Sequence, residues 1–427
     1  MPTNLLSEKG KDGRTVFHIA AVDGKIEIVK AIVEKDEKLV MIKSKSYSGC
    51  IPIMVAAEAG NKDVVNYLYP ITISQEGNQK EGHNDEREKT KATILTSLIF
   101  GDFYRLALDL LKKCPHLLLT KDDFKLTAME VLAMKHSAFQ SSLPTKRIIA
   151  TLGYSFLNSL LDIHLPENAC WRARRDEENS LDASGDSSND KPMFGPISNY
   201  PQLLWLCFRR LLQNALIKFG EKLKPNHPII IIIIIIIIIT LIAYIYTLVV
   251  PGCRYIYDEK LKHYGASKLV KEVWRVISQH DDLQSVKDVV VTAMFIATRN
   301  GIVEFIEECI NNCPQLLMNK GDKYKSQTIF HYAISNRQEK IFGLIHHLGP
   351  LKHDLAMMKD ASENCMSHLV ATEIPIERLN QVPGAALQMQ RELLWYKEVG
   401  SIMPSAHELF ENKDQKTPRV LFTENHK

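Results

Sequence analysis

The chain has 427 residues, of which 45% are apolar and 24% charged, and its formal net charge is +3 at pH 7. This composition is typical of a folded protein, and so small a net charge gives no reason to expect a nucleic-acid partner. The eight cysteines are scattered, which excludes a disulfide framework and indicates reduced thiols facing the cytosol. Residues 1–10 lack the apolar core of a signal peptide.

Two segments near the N-terminus share one pattern. Residues 11–33 read KDGRTVFHIAAVDGKIEIVKAIV and residues 47–69 read YSGCIPIMVAAEAGNKDVVNYLY, with matching positions 36 apart. Paired alanines let two antiparallel helices approach closely, and Gly24 and Gly60 suit the left-handed conformation that ends a first helix. A fixed period of this kind resembles the ankyrin repeat, whose usual period is about 33 residues.

The pattern continues with more variation. Residues 74–90 are polar and predict a flexible insertion, and a third unit follows with Gly101 in its turn. Thr127 and Ala133 keep their expected places in a fourth unit.

The second half of the chain returns to the same pattern. Residues 292–310 read TAMFIATRNGIVEFIEECI and residues 328–345 read TIFHYAISNRQEKIFGLI, again with a spacing of 36. A histidine recurs at one position of the repeat, where its ring can hydrogen-bond the backbone of a hairpin: His18, His331 and His368. We therefore interpret these histidines as structural groups, not as metal ligands or general bases.

The composition changes between the two halves. Residues 166–196 are polar and predict a linker, and residues 203–219 predict a basic amphipathic helix that belongs either to the solenoid or to a membrane surface. Ile229–Val250 contains no charge and begins with eleven isoleucines. As a helix it would be about 33 Å long, enough to cross a hydrocarbon core of roughly 30 Å. The same run also suits a β-aggregating segment, and a wrongly joined coding segment would produce it too.

A single crossing by this run raises a geometric difficulty, because it would place the two halves on opposite sides of a bilayer. Lys and Arg number five in the twenty residues before the run and four in the twenty after it. The positive-inside rule therefore gives almost no orientation, and both flanks have the charge expected of cytoplasmic segments.

Motifs for catalysis are missing from the sequence. None of G-x-G-x-x-G, G-x-x-x-x-G-K-[ST], H-E-x-x-H or G-x-S-x-G occurs. Cys309 and Cys313 stand four residues apart, but no further Cys or His pair lies at zinc-finger spacing. We therefore expect no enzymatic activity, no metal site, no cofactor and no small-molecule substrate.

Three segments outside the repeats carry a family resemblance. VPGCRYIYDEKLKHYGASKLVKEVW starts at Val250, RLNQVPGAALQMQRELLWYKEV at Arg378 and KDQKTPRVLFTENHK at Lys413. With the repeats, they resemble the plant ankyrin-repeat membrane proteins with a C-terminal PGG domain, the accelerated-cell-death-six-like family. The resemblance implies a membrane-tethered cytoplasmic repeat domain in stress or defence signalling. The chain departs from the family in its isoleucine tract and in ending at Lys427, before the family's membrane domain.

We therefore predict an all-α ankyrin-repeat solenoid in two blocks, separated by a linker and one candidate transmembrane helix. The segments are N-terminal repeats over 11–140, a linker with the amphipathic helix over 141–227, the candidate transmembrane helix with ends at Ile229 and Val250, C-terminal repeats over 251–377, and a family-specific helical segment over 378–427.

The predicted function is a non-enzymatic scaffold that binds other proteins through its concave surface. The predicted location is the plasma membrane or an endomembrane, with the repeats facing the cytoplasm. A degenerate or truncated family copy with little activity and a soluble cytosolic ankyrin adaptor are the alternatives. Aromatic residues beside lysines at hairpin tips make good contact anchors. The candidate partner-binding residues are Lys45, Tyr47, Lys121, Asp123, Lys323 and Tyr324.

Overall fold

A computed structural model of the chain describes residues 3–45, 49–78, 84–139, 141, 258–259, 261–280, 283–373, 375 and 384–426. Residues Met1–Leu143 and Leu261–Lys427 form one compact unit, and residues Pro144–Lys260 form a second unit. Of the second unit only residues 258 and 259 are described, so the predicted linker after Ser141 and the run Ile229–Val250 lie outside the described residues.

The described part of the chain is helical. Its first half contains α1 (Thr3–Leu6), α2 (Val16–Val22), α3 (Ile26–Lys35), α4 (Pro52–Glu58), α5 (Lys62–Asn78), α6 (Asn84–Phe100), α7 (Tyr104–Lys113) and α8 (Ala128–Met134). Its second half contains α9 (261–278), α10 (Leu283–Asn300), α11 (Val303–Asn312), α12 (Ile329–Ser335), α13 (Glu339–Gly343), α14 (Leu351–Met357), α15 (Met366–Val370), α16 (Ala385–Ile402) and α17 (Pro418–Asn425). The β pairing recorded among these residues is one isolated antiparallel bridge between Gly321 and Gln327.

The helices form a solenoid of helix pairs. The first helices of the pairs pack side by side in the order α2, α4, α6, α8, α10, α12, α15 and α17. One hydrophobic core runs through both halves of the chain, from Leu6 to Met403. Each pair contacts its neighbours, as expected for a repeat protein whose single units cannot bury their own apolar faces.

Turn and cap residues explain where the first helices begin and end. The Thr127 hydroxyl accepts from the backbone N–H of Glu130, and the Glu130 carboxylate accepts from the N–H of Thr127, which is a reciprocal cap. At the other end of the helices, Gly24 and Gly60 have φ values of 69° and 75°. The sequence-based expectation for these two glycines is therefore confirmed, since the left-handed region costs glycine no steric strain.

The third turn is built differently. The φ of Gly101 is not positive, and Asp102 takes the left-handed conformation instead, with a φ of 66°. A Cβ at Gly101 would lie 2.1 Å from the carbonyl oxygen of Ala57 in the preceding repeat. Glycine is required here for a close approach between repeats, not for its backbone freedom.

Two first helices are longer than the repeat pattern predicts. The polar stretch around residues 74–90 is not a loop in its described part, because it belongs to the end of α5 and the start of α6. Similarly, Thr292 does not cap a helix but lies within α10, where its hydroxyl donates to the Asp288 carbonyl. Asp85 and Glu86 in the first turn of α6 favour a helix there, through the helix dipole.

One repeat is divided by a long insertion. Helix α8 is its first helix, and its second helix is α9, which follows more than 120 residues later in the sequence. The backbone of Gly265 in α9 lies against Tyr104 of α7, and the Trp274 indole N–H donates to the Phe305 carbonyl of α11. Helix α9 therefore lies between the second helices of the adjacent repeats. In contrast to the two separate blocks expected from sequence, the described halves form one continuous stack.

The C-terminal segment also has repeat structure. We expected residues 378–427 to be a family-specific helical segment, but α17 begins at a Thr417 cap and packs against α15. The imidazole Nε2 of His368 donates to the Lys416 carbonyl, as His18 does to the carbonyl of Cys50. This hairpin and helix are the first part of a further repeat.

A buried ion pair connects the last repeats. Arg337 has a left-handed φ of 53° in the turn before α13. Its Nε donates to Glu392 at 3.0 Å, and the two side chains are only 4% and 6% exposed. Its Nη2 donates to the carbonyls of Val370 and Thr372. The single guanidinium therefore links three repeat elements that are far apart in sequence.

We expect Arg337→Met to lower the free energy of unfolding by about 3–5 kcal/mol, because it leaves the Glu392 carboxylate buried without its charge partner. Chemical denaturation followed by circular dichroism measures the change. Arg391→Met is the matched control, since Arg391 forms an exposed pair with Glu339 and such pairs contribute at most about 1 kcal/mol. Equal losses in the two variants would contradict the assignment.

Candidate protein-interaction surface

Hairpin tips precede the first helices of several repeats, and buried Asp or Asn side chains shape three of them. Asp122, only 2% exposed, accepts hydrogen bonds from the backbone N–H groups of Phe124 and Leu126. Asp360 accepts equivalent bonds from Ser362 and Asn364, and Asn412 from Asp414 and Lys416. A side chain that bonds the backbone two and four residues ahead closes the turn locally, so these tips have a defined shape.

Backbone hydrogen bonds join successive tips. The N–H of Lys45 donates to the Gly13 carbonyl at 2.9 Å, and the N–H of Ala361 donates to the Lys325 carbonyl at the same distance. The N–H of Lys413 donates to the Ser362 carbonyl at 3.1 Å. These bonds place the first two tips side by side at one end of the stack and the last three side by side at the other end.

The start of α6 extends this edge where a hairpin is missing. Lys43 of an N-terminal tip pairs with Glu86 in α6 at 2.7 Å. Lys89, also in α6, pairs with Asp123 at the next tip at 3.1 Å. The extended helix therefore bridges two tips through ion pairs, and it takes the place of the intervening hairpin.

The six sequence-predicted contact residues have different environments. Lys45, Lys121 and Lys323 are exposed at tips, as a contact role requires. Asp123 is half-buried, paired with Lys89 and bonded to the Thr93 hydroxyl, so its carboxylate supports the tip. Tyr47 lies outside the described residues.

Tyr324 is also held within the fold. Its ring stacks on Phe295 with a centroid distance of 4.1 Å and an interplanar angle of 2°. Tyr332 packs edge-on against both rings. Partial burial raises the pKa of the Tyr324 hydroxyl. The aromatic face is thus used inside the protein, and only part of the side chain can reach a partner.

Phe124 is the aromatic residue that the sequence reasoning missed. Its side chain is 50% exposed at the tip shaped by Asp122, between the exposed Lys121 and Lys125. The sequence signal for it is Asp122, two residues earlier in the tip. In an Asx turn the Asp carboxylate accepts from the backbone N–H two residues ahead, which leaves the side chain of that residue facing outward.

The recurring histidines are buried structural groups, as the repeat pattern indicates. His331 accepts at Nδ1 from the Thr328 hydroxyl at 2.7 Å and donates from Nε2 to the Met358 carbonyl at 3.0 Å. His18 makes the same pair of bonds, to Thr15 and Cys50. Each ring therefore ties the cap of its own helix to the next hairpin and uses both of its nitrogens.

Four buried cysteines favour the protonated form. Burial raises the pKa of the Cys50 thiol to about 11 and raises the pKa values of Cys309, Cys313 and Cys365. Thiolate is the reactive form, so these side chains behave as small apolar groups of the core. Within the described ranges no group of three or more His, Cys, Asp or Glu side chains could hold a metal ion. None of the helices described is long and apolar enough to cross a membrane.

We expect the stability of the stack to fall as pH is lowered, because burial lowers the pKa of His331 from 6.5 to about 4. Between these two values the unfolded chain binds a proton that the folded chain does not bind. The contribution of the neutral His331 ring to the free energy of unfolding is therefore fully present above about pH 6.5 and decreases towards pH 4. Denaturant unfolding at a series of pH values measures this slope.

In that series, His331→Gln should flatten the profile over the same pH range while lowering stability at neutral pH. His353→Gln is the control for replacing a histidine by glutamine, since His353 is exposed in α14. An unchanged slope in His331→Gln would show that another group causes the pH dependence.

Comparison with known families agrees with this architecture for part of the chain. Residues 3–80 match the family model described as ankyrin repeats (3 copies). No curated protein shows significant similarity to the chain. Ankyrin repeats typically bind other proteins and are not catalytic, and no catalytic family is shown. The N-terminal part of this chain, residues 3–80, consists of ankyrin repeats.

Proposed function

We propose that the chain is a non-enzymatic scaffold that binds a partner protein along the edge formed by its hairpin tips. The observation that carries this proposal is the series of tips with defined shape, joined to their neighbours by backbone hydrogen bonds or by ion pairs of α6. Such a surface is held in place before binding, so a partner does not have to order it. The ankyrin match over residues 3–80 supports the same role.

Phe124 is the central anchor in this proposal. Half of its side chain is exposed, and burying an aromatic side chain contributes much of the energy at protein interfaces. Lys121 and Lys125 flank it, and Lys323 is exposed at a later tip. Apolar contact beside several ammonium groups fits a partner segment that combines an apolar side chain with carboxylates.

We expect Phe124→Ser to weaken partner capture at least tenfold without changing helicity, because the side chain packs little against its own fold. Lys323→Glu should weaken it further by reversing a charge. Affinity purification of the full chain, quantified for each captured protein, measures the effect. Ile28→Ser is the matched control, since Ile28 is 48% exposed but lies on α3, a second helix, away from the tips.

The candidate partners are proteins captured equally by the wild type and by Ile28→Ser but lost in Phe124→Ser. If every captured protein is retained by Phe124→Ser, the tip surface is not the binding surface. Tyr324→Ser should behave differently from Phe124→Ser. It should reduce the stability of the protein, because Tyr324 stacks on Phe295 within the fold.

We further propose membrane association and a role in plant stress or defence signalling. The support for membrane association is the uncharged composition of Ile229–Val250. The signalling role rests on the sequence resemblance described above. Deletion of Ile229–Val250 should move the protein from the carbonate-resistant membrane fraction to the soluble fraction. Unchanged fractionation would contradict anchoring by this run and would favour a cytosolic adaptor.

A further inference from the structure

The chain leaves the stack and returns to it at nearly the same place. At the point of departure, the Ala138 carbonyl accepts a hydrogen bond from His263 Nδ1 at 2.8 Å. His263 is the third residue of α9, so residue 138 and the returning chain are in direct contact. Lys262, its neighbour, forms an ion pair at 3.0 Å with Asp102 in the third turn.

Ser141 attaches the departing chain to the second half as well. Its hydroxyl accepts from the Val303 N–H at 3.0 Å, and its N–H donates to the Glu304 carboxylate at 3.1 Å. The Lys340 ammonium donates to the Ser141 carbonyl at 2.7 Å. The last described residue before the insertion is thus held by two repeats that come after it.

The junction between the halves is also packed like the rest of the core. Helices α8 and α10 pack side by side, and the Asn300 amide donates to the Ala133 carbonyl at 2.9 Å. The side chains that α9 buries completely or nearly so are Ala266, Leu269, Val270, Val273, Trp274 and Ile277. No bilayer can separate two halves that share such a core.

We propose that residues 142–260 are an insertion within one continuous stack. Both halves of the stack therefore lie on the same side of any membrane that the protein contacts. The run Ile229–Val250 therefore does not act as a lone crossing. If it enters a bilayer, the chain must return through the same face or through a second crossing within 142–260. The similar Lys and Arg counts on its two flanks agree with ends in one compartment.

This inference is independent of the proposed membrane location, since it follows from contacts between the halves. Its first test cuts the insertion. A recognition site for a sequence-specific protease is placed between Ser187 and Ser188 of the full chain, which is then cleaved in detergent micelles. We expect the two fragments to remain one complex and to unfold in a single transition. Fragments that separate without denaturant would overturn the inference.

A matched variant controls for association through other contacts. A Cβ at Gly265 would lie 3.0 Å from the Cβ of Tyr104, which belongs to the other fragment. Gly265→Val should therefore make the cleaved halves dissociate at a lower denaturant concentration than the cleaved wild type. An unchanged midpoint would show that α9 does not lie in this interface.

The second test determines on which side of the membrane each terminus lies. The sequence contains no Asn-x-Ser/Thr site, so one glycosylation site added ahead of Met1 and, separately, one added after Lys427 report translocation without background. In microsomal membranes we expect the two tags to be modified to the same extent. Modification of one tag and not the other would place the halves on opposite sides and overturn the inference.

Discussion

The packing of α8 on α10, with α9 held between α7 and α11, is the interaction on which the rest of the structure depends. Full burial of a Val, Leu or Ile side chain contributes roughly 1.5–3 kcal/mol, so Leu269, Val270, Val273 and Ile277 of α9 supply about 6–12 kcal/mol. Eleven isoleucines favour membrane insertion by about 3–7 kcal/mol. Because the burial of α9 is of similar size, insertion of the run would have to leave α9 packed in the stack.

Polar side chains join successive repeats in a regular way. Asn61 donates to the carbonyls of Ala21 and Val22, and Gln338 donates to the Arg299 carbonyl. Both satisfy groups at the end of the preceding first helix that have no partner within their own helix. Together with the buried histidines, these bonds fix the spacing between repeats, which apolar packing alone would leave less specific.

The same bonds have a functional consequence. The tips are closed by Asp122, Asp360 and Asn412. Backbone hydrogen bonds join the Asp360 and Asn412 tips, and side chains of α6 hold the Asp122 tip, so their exposed side chains have defined positions. A scaffold that binds along several tips gains affinity from this order. The long helix α6 belongs to the same edge, so the edge continues through a repeat in which a helix takes the place of the hairpin.

Local chemistry was readable from the sequence. The left-handed Gly24 and Gly60 and the bond of each histidine to the cap of its own helix follow from residues near one another in the chain, because caps and turns are local interactions. Only the tertiary structure revealed the interactions between residues that are far apart in the sequence. The stacking of Tyr324 on Phe295, the Arg337–Glu392 pair and the completion of one repeat by α9 are contacts between separated segments. No periodic pattern encodes such contacts, since they depend on which surfaces folding brings together.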